Sequence, residues 1–229
     1  MNKLSASIIN SLIAITPDEI LEKRHLRKNS GSREQWINDK SLFIHIPKSG
    51  GTSVAAAYSR NEPGHATWSF LSKEYPLLKN KKIFYFIFRD PEQRIISTFS
   101  YIKGLHERFG TSTLPAVNNY ASVDDFVTDY ISRKKIDDNY FLRSVSCTLN
   151  GLDLSKVWAI NFDDLRNNFE SFAKDILKEE LILPHENSSK TYGCSKHLSQ
   201  EAKSIIMKKY GDDYMLYKKV LGNKYVIMR

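Results

Sequence analysis

The stretch Phe43-Ile-His-Ile-Pro-Lys-Ser-Gly-Gly-Thr-Ser-Val54 decides the fold of this chain. Its apolar beginning is typical of a buried strand, which Pro47 ends. Lys48, two glycines and two hydroxyl residues follow. Glycine lets backbone N–H groups converge on an oxyanion, and the lysine adds a mobile cation. A helix predicted from Thr52 presents its positive N-terminus to the same place. The segment therefore predicts a strand, an anion-binding turn and a helix.

A second segment repeats this arrangement. The run Ile83–Phe88 is short and continuously apolar, as expected for a buried strand, and Arg89 follows it directly. Asp90 is placed to cap the next helix, on which Arg94 and Ser97 lie one turn apart. Two strands that each end in an anion-binding corner imply a ligand with two separated anionic groups.

The order of residues in the first corner excludes the commonest phosphate loop. A Walker A loop places its lysine after the last glycine, whereas Lys48 precedes Gly50 and Gly51. Arg89 stands where a Walker B carboxylate would follow the second strand. A magnesium-dependent triphosphatase is therefore disfavoured. Strands alternating with helices predict an α/β fold with a mostly parallel sheet, which binds ligands at the carboxyl ends of its strands.

The two corners resemble the motifs of sulfotransferases that use 3′-phosphoadenosine 5′-phosphosulfate (PAPS), in the branch that sulfates carbohydrates such as heparan- and chondroitin-type polysaccharides. The resemblance implies a P-loop-like three-layer fold and no metal. It implies a 5′-phosphosulfate loop made of Lys48, Ser49, Gly50, Gly51, Thr52 and Ser53. It also implies that Arg89 and Ser97 hold the 3′-phosphate, with Arg94 as a third ligand or as the ion-pair partner of Asp90. Lys190, in a late basic loop, is expected to close over the nucleotide.

Sulfuryl transfer also needs a base for the attacking hydroxyl. His65 is the first candidate, because the branch that uses histidine places it after the helix that leaves the first loop. Glu62 is the alternative, since other branches use glutamate. His45 lies within the first predicted strand, where a packed and hydrogen-bonded histidine is expected. Lys48 is expected to neutralise the bridging oxygen as the sulfuryl group leaves.

The length, net charge and cysteine content of the chain limit its domain organisation, its ligands and its location. The 229 residues are enough for one domain with a large insertion. The resemblance implies a sulfotransferase domain at 41–229 after a lead-in at 1–40, with a helical insertion at 104–150 as the acceptor region. Gly110, Pro115 and paired asparagines predict that this insertion begins with a loop from Gly104 to Tyr120. The net charge of +8 favours an acidic ligand. We expect a carbohydrate acceptor, either an anionic polysaccharide or a glycolipid, and no nucleic acid. Two cysteines without metal-ligand spacing indicate a reducing, cytoplasmic location. The apolar start is too short and too polar to span a bilayer, which leaves weak association with a membrane surface as an alternative.

Three other functions remain open at this point. The acceptor hydroxyl can belong to a small molecule or a peptide instead of a carbohydrate. A nucleotide kinase or hydrolase on a variant phosphate loop would need magnesium and ATP. A non-catalytic binder of an anionic polymer would use the basic surface but leave the two nucleotide-type corners unexplained.

Overall fold

A computed structural model describes residues 24, 26–37, 39–110, 114–184 and 197–229 of the chain. Its sheet has four strands in the order β1-β2-β3-β4, with the bounds β1 Ser41–Phe43, β2 Ile83–Phe88, β3 Val157–Asn161 and β4 Tyr225–Ile227. The first three strands are parallel, and β4 pairs antiparallel with β3. The predicted α/β class with a mostly parallel sheet is confirmed.

Helices fill the connections between these strands. Their bounds are α1 Ser30–Ile37, α2 Gly51–Ala57, α3 Trp68–Glu74, α4 Pro91–Phe109, α5 Val123–Asp125, α6 Val145–Leu149, α7 Leu165–Phe172, α8 Gln200–Lys209 and α9 Gly211–Val220. π-Helical segments continue α5 over Phe126–Ile131 and α7 over Ala173–Leu177. Short 3₁₀ turns lie at Pro76–Asn80, Pro115–Asn119, Ile136–Asp138 and Leu154–Lys156.

The apolar residues form two buried clusters. The first surrounds the sheet and includes most of β2, which is buried because parallel strands are covered on both faces. The second is built on α4, whose Phe99 and Ile102 pack with Phe126 and with Ile206 of α8. The chain runs almost directly from β2 into α4. This helix therefore connects the carboxyl end of the sheet with the helical region that follows α4.

The helix α4 is longer than the sequence predicts. A loop was expected from Gly104 onward, but α4 continues through that residue, which is buried, to Phe109. The helix ends at Gly110, whose φ of 69° is the left-handed conformation typical of a C-cap. The loop prediction was therefore wrong for residues 104–109, and the expected boundary at 104 falls inside a helix. Among the described residues, no helix has the length and apolar character needed to cross a bilayer.

Candidate functional site

The two predicted anion corners meet at one edge of the sheet. Strands β1 and β2 are parallel neighbours, with Phe43 opposite Tyr85, so their carboxyl ends lie side by side. The residues that follow are joined directly, because Arg89 Nη1 donates a hydrogen bond of 3.0 Å to the carbonyl oxygen of Lys48. The two corners therefore form one continuous polar surface.

The backbone of the first corner is strained. Lys48 has a φ of 61°, in the left-handed region, where a residue with a Cβ costs about 1–2 kcal/mol. Gly50 has a φ of 80° and accommodates the same region without that cost. Strain of this kind persists only where the surrounding structure imposes it, and it is concentrated at functional sites. The first corner therefore keeps an unfavourable backbone conformation that lowers the stability of the fold.

The ammonium group of Lys48 is held in an unusual environment. The pKa of Lys48 is lowered to about 8, mainly by burial and also by the positive charge of Arg89, while Glu62 partly opposes the change. The Nζ atom lies 3.7 Å from the centre of the Tyr101 ring, a cation–π contact. Tyr101 is 40% exposed. Burial raises the pKa of its hydroxyl, and Glu62 adds to the rise.

The remaining loop residues have different surroundings. Ser49 is 1% exposed, and its Oγ has no hydrogen-bond partner among the described residues. Ser53 is buried, and its N–H donates to the carbonyl of Gly50 at 3.1 Å, within the first turn of α2. Thr52 is exposed, and its hydroxyl donates to Glu62 Oε1. The loop therefore contains a buried hydroxyl that still lacks a hydrogen bond, which is a costly state unless water or a ligand supplies one.

Gly51 is required by packing. A Cβ at this position would lie 2.0 Å from His45 Nε2, a distance that no side chain can occupy. His45 follows β1, is buried, and stacks against Phe43 with ring centres 5.7 Å apart. The packing expected of His45 is confirmed, but its predicted place within the strand was wrong, because β1 ends at Phe43. The contact of His45 with the loop explains why the second glycine is needed.

Three proton-accepting side chains gather beside this loop. Ligand atoms of His45, Glu62 and His65 all lie within 4.8 Å of one another. Glu62 Oε2 is 3.6 Å from His45 Nδ1. The rings of His45 and His65 have centres 4.4 Å apart, and His65 Nδ1 lies 3.3 Å from the carbonyl oxygen of His45. We call these three residues the His–Glu cluster. It brings together His65 and its rival Glu62, the two residues that the sequence proposes for the base.

An aromatic wall borders the His–Glu cluster. Tyr140 stacks on His65 at 5.5 Å, and Phe141 lies 6.0 Å from the same ring. Phe141 is also 5.9 Å from Tyr101, which covers Lys48. The wall thus runs from the cluster to the lysine and is supplied partly by α4 and partly by the predicted insertion.

The second corner contains one cation that faces the first. Burial lowers the pKa of Arg89, while the nearby carboxylates of Asp90 and Asp163 oppose that change. Its guanidinium lies 4.3 Å from the centre of the Phe162 ring, and its buried Nε has no hydrogen-bond partner among the described residues. Ser97 is half-buried on α4. Arg89 therefore keeps hydrogen-bonding capacity that an anion can use.

Arg94 behaves differently from Arg89. It is 1% exposed, and its Nη2 lies 3.7 Å from Asp213 Oδ2, so the alternative in which Arg94 pairs with Asp90 was wrong. Asp90 instead caps α4, as expected, by accepting a hydrogen bond of 2.9 Å from Gln93 N. Asp213 also accepts the N–H groups of Val145 and Ser146, each at 2.9 Å. These contacts connect three segments of the chain, while the Nη1 and Nη2 atoms of Arg94 have no hydrogen-bond partner among the described residues.

Lys190 lies outside the described residues. Sequence reasoning did not identify Tyr101 and gave too little weight to His45. Both positions could have been found from the sequence, since Tyr101 lies one helical turn after Ser97 and His45 closely precedes the loop.

Comparisons with models of protein families, with curated proteins and with solved structures found no match to this chain. The function is therefore inferred from the site itself.

Proposed function

We propose that this chain is a sulfotransferase that moves a sulfuryl group from PAPS to a hydroxyl of a carbohydrate. The observation that carries the proposal is the strained, largely buried Lys48, joined through its carbonyl to Arg89 and bordered by the His–Glu cluster. One edge of the sheet thus offers two cationic corners and a proton acceptor. The arrangement suits a P-loop-like three-layer fold that binds a nucleotide with two anionic groups.

The donor is held by both corners. In this proposal the 5′-phosphosulfate lies on the loop of Lys48 to Ser53, where the Ser49 hydroxyl gains the partner it lacks. The 3′-phosphate is held by Arg89 and Ser97. Charge-assisted hydrogen bonds to a guanidinium are short and strong, which suits Arg89 to this role. Arg94 is not part of the proposed site, because Asp213 already engages its guanidinium.

The reaction is an in-line displacement at sulfur. The acceptor oxygen forms the new S–O bond as the bond between sulfur and the bridging oxygen of the 5′-phosphate breaks. Charge grows on that bridging oxygen, and the Lys48 ammonium stabilises it more strongly in the transition state than in the ground state. The products are a sulfated acceptor and adenosine 3′,5′-bisphosphate, and the acceptor proton passes to the enzyme.

We assign the proton to His65. The carbonyl of His45 lies 3.3 Å from His65 Nδ1, which places the ring proton on that nitrogen and the lone pair on Nε2. Glu62 is less suited, because its two oxygens face the Thr52 hydroxyl and His45. The sequence hypothesis of His65 as base with Glu62 as rival thus gains a geometric argument in favour of the histidine.

The aromatic wall supports a ring-shaped acceptor. Tyr101, which is 40% exposed beside Lys48, is the accessible part of this wall and gives a flat surface on which a sugar ring packs, while Tyr140 and Phe141 are buried behind it. Arg133 and Lys135, two exposed basic residues of the predicted insertion, attract an acidic polymer less strongly than isolated cations would, since Arg133 pairs with Asp129 and Lys135 lies 3.7 Å from Asp138. The proposal therefore names a carbohydrate without requiring that it be anionic. It also includes a cytoplasmic location.

Two measurements test this function. Adenosine 3′,5′-bisphosphate should raise the melting temperature far more than AMP or ATP, because it binds the native state through both corners. Radiolabelled PAPS should then transfer label to a glycan, in the presence of a chelator, in preference to phenols or peptides. Equal protection by AMP would contradict a 3′-phosphate site.

The outcomes also separate the alternatives. Transfer to a phenol or peptide would keep the donor and replace the acceptor class. Magnesium-dependent protection by ATP would favour a kinase or hydrolase. Tight binding of adenosine 3′,5′-bisphosphate or of an anionic polymer, without transfer to any acceptor, would favour a binding protein.

A further inference from the structure

We infer that the His–Glu cluster binds a divalent transition-metal ion such as Zn²⁺. The cluster combines two imidazoles and one carboxylate from three separate positions of the chain, and their ligand atoms lie within 4.8 Å of one another. This inference goes beyond the proposed function, which uses no metal.

The spacing is close to that of a metal site. Two bonds of about 2.1 Å at a tetrahedral angle place donor atoms about 3.4 Å apart. His45 Nδ1 and Glu62 Oε2 already lie 3.6 Å apart. A movement of the half-buried Glu62 side chain closes the remaining distance. The Glu62 side chain is 38% exposed, which gives an ion a route to the buried His45.

The outer contacts resemble those that orient metal ligands. A metal-binding histidine commonly donates its second ring N–H to a backbone carbonyl or carboxylate, which fixes the tautomer. The His45 carbonyl lies 3.3 Å from His65 Nδ1, so Nε2 carries the lone pair. The Thr52 hydroxyl donates to Glu62 Oε1, which orients the carboxylate. The His–Glu cluster therefore contains both the side chains that would bind the metal ion and the hydrogen bonds that would orient them.

The donor set selects the class of metal. Two imidazoles and one carboxylate suit Zn²⁺ and related ions, whereas Mg²⁺ prefers a shell of oxygen ligands. Three protein ligands also leave a coordination position open for water or an anion. The cations Lys48 and Arg89 nearby oppose a second positive charge, so the site is suited to reversible binding. If the proposed function holds, bound zinc occupies the lone pair that accepts the proton and inhibits transfer.

The test uses the full chain with Zn²⁺ alone, without nucleotide or acceptor. Competition with a chromogenic chelator should show one equivalent bound by the wild type. Glu62→Gln and His65→Gln should each weaken zinc binding by at least about tenfold. His106→Gln, which removes a histidine of α4 outside the cluster, should bind as the wild type does. Zinc should also raise the melting temperature of the wild type and of the His106 variant only.

The outcomes are decisive in either direction. Equal zinc affinity in all four proteins, or none in the wild type, would overturn the inference. Should both cluster variants fail to fold, X-ray absorption at the zinc edge of the wild type decides instead: two imidazole ligands are expected, and a sulfur ligand would contradict the site. Because zinc binding is measured without sulfuryl transfer, failure of either proposal leaves the other testable.

Discussion

The corner after β1 and the corner after β2 look alike in sequence but differ in structure. The first contains a left-handed lysine and a buried serine hydroxyl without a hydrogen-bond partner among the described residues. The second begins an ordinary helix, with Asp90 as its cap and Pro91 in its first turn. Its Arg94 is buried against Asp213. The first corner has a strained backbone and the second an ordinary one, although buried side-chain nitrogens of Arg89 and Arg94 in the second also have no hydrogen-bond partner among the described residues.

This difference separates the residues that we expect to bind a ligand from those that stabilise the fold. Backbone strain is concentrated at functional sites, so we expect the first corner to carry the chemistry. In the second, only Arg89 faces the ligand side, through its hydrogen bond to Lys48. Two arginines of one sequence motif therefore have separate tasks: Arg89 serves the ligand, and Arg94 serves the fold.

The strongest test of this comparison is Arg94→Met. Removing the guanidinium leaves Asp213 buried without its partner, which typically costs 3–5 kcal/mol, so the free energy of unfolding in urea should fall by about that amount. Arg89→Met is the matched control. It should cost much less stability but weaken the binding of adenosine 3′,5′-bisphosphate, measured by calorimetry. The reverse pattern would exchange the two assigned roles.

Lys48→Ala and Lys48→Gly test the strained corner directly. Both remove the charge that stabilises the leaving oxygen and should lower turnover by about 10²–10³-fold, while product-nucleotide affinity changes modestly. The glycine variant should be more stable than the alanine variant by about 1–2 kcal/mol, because it accepts a φ of 61° without strain. Turnover at the wild-type level in either variant would remove Lys48 from the mechanism.

The sequence predicted the parts of this edge that depend on local chemistry. Six consecutive apolar residues indicated β2, and Asp90 before Pro91 indicated the start of α4. The sequence could not predict the ion-pair partner of Arg94. Asp213 lies far along the chain, and no local pattern indicates that Arg94 pairs with Asp213 instead of Asp90. The antiparallel β4 was missed for a similar reason: three half-buried residues carry too little periodicity to predict a strand. Likewise, only the packed structure brings His45 against Gly51.

Gly51→Ala tests that packing. The added methyl group would lie 2.0 Å from His45 Nε2, so the ring must move and the free energy of unfolding should fall by about 1–3 kcal/mol. Gly211→Ala is the control, since a Cβ there meets nothing within 4 Å. It should be neutral or slightly stabilising. Equal effects would mean that His45 does not pack on the loop as described.

The last test is a dependence on pH that belongs to Lys48. Its pKa in the fold is about 8, below the ordinary 10.5, because burial disfavours the charged form. Between these values the unfolded chain still holds a proton that the folded chain has released, so this lysine makes the free energy of unfolding rise with pH. Catalysis should change in the opposite direction. The value of kcat/KM should fall as pH rises through about 8, because the neutral amine no longer stabilises the leaving oxygen. Other groups titrate in this range too, so the measurement is the difference between wild type and Lys48→Ala in urea unfolding across the window. A difference that stays constant with pH would show that Lys48 keeps its ordinary pKa and that burial does not tune it.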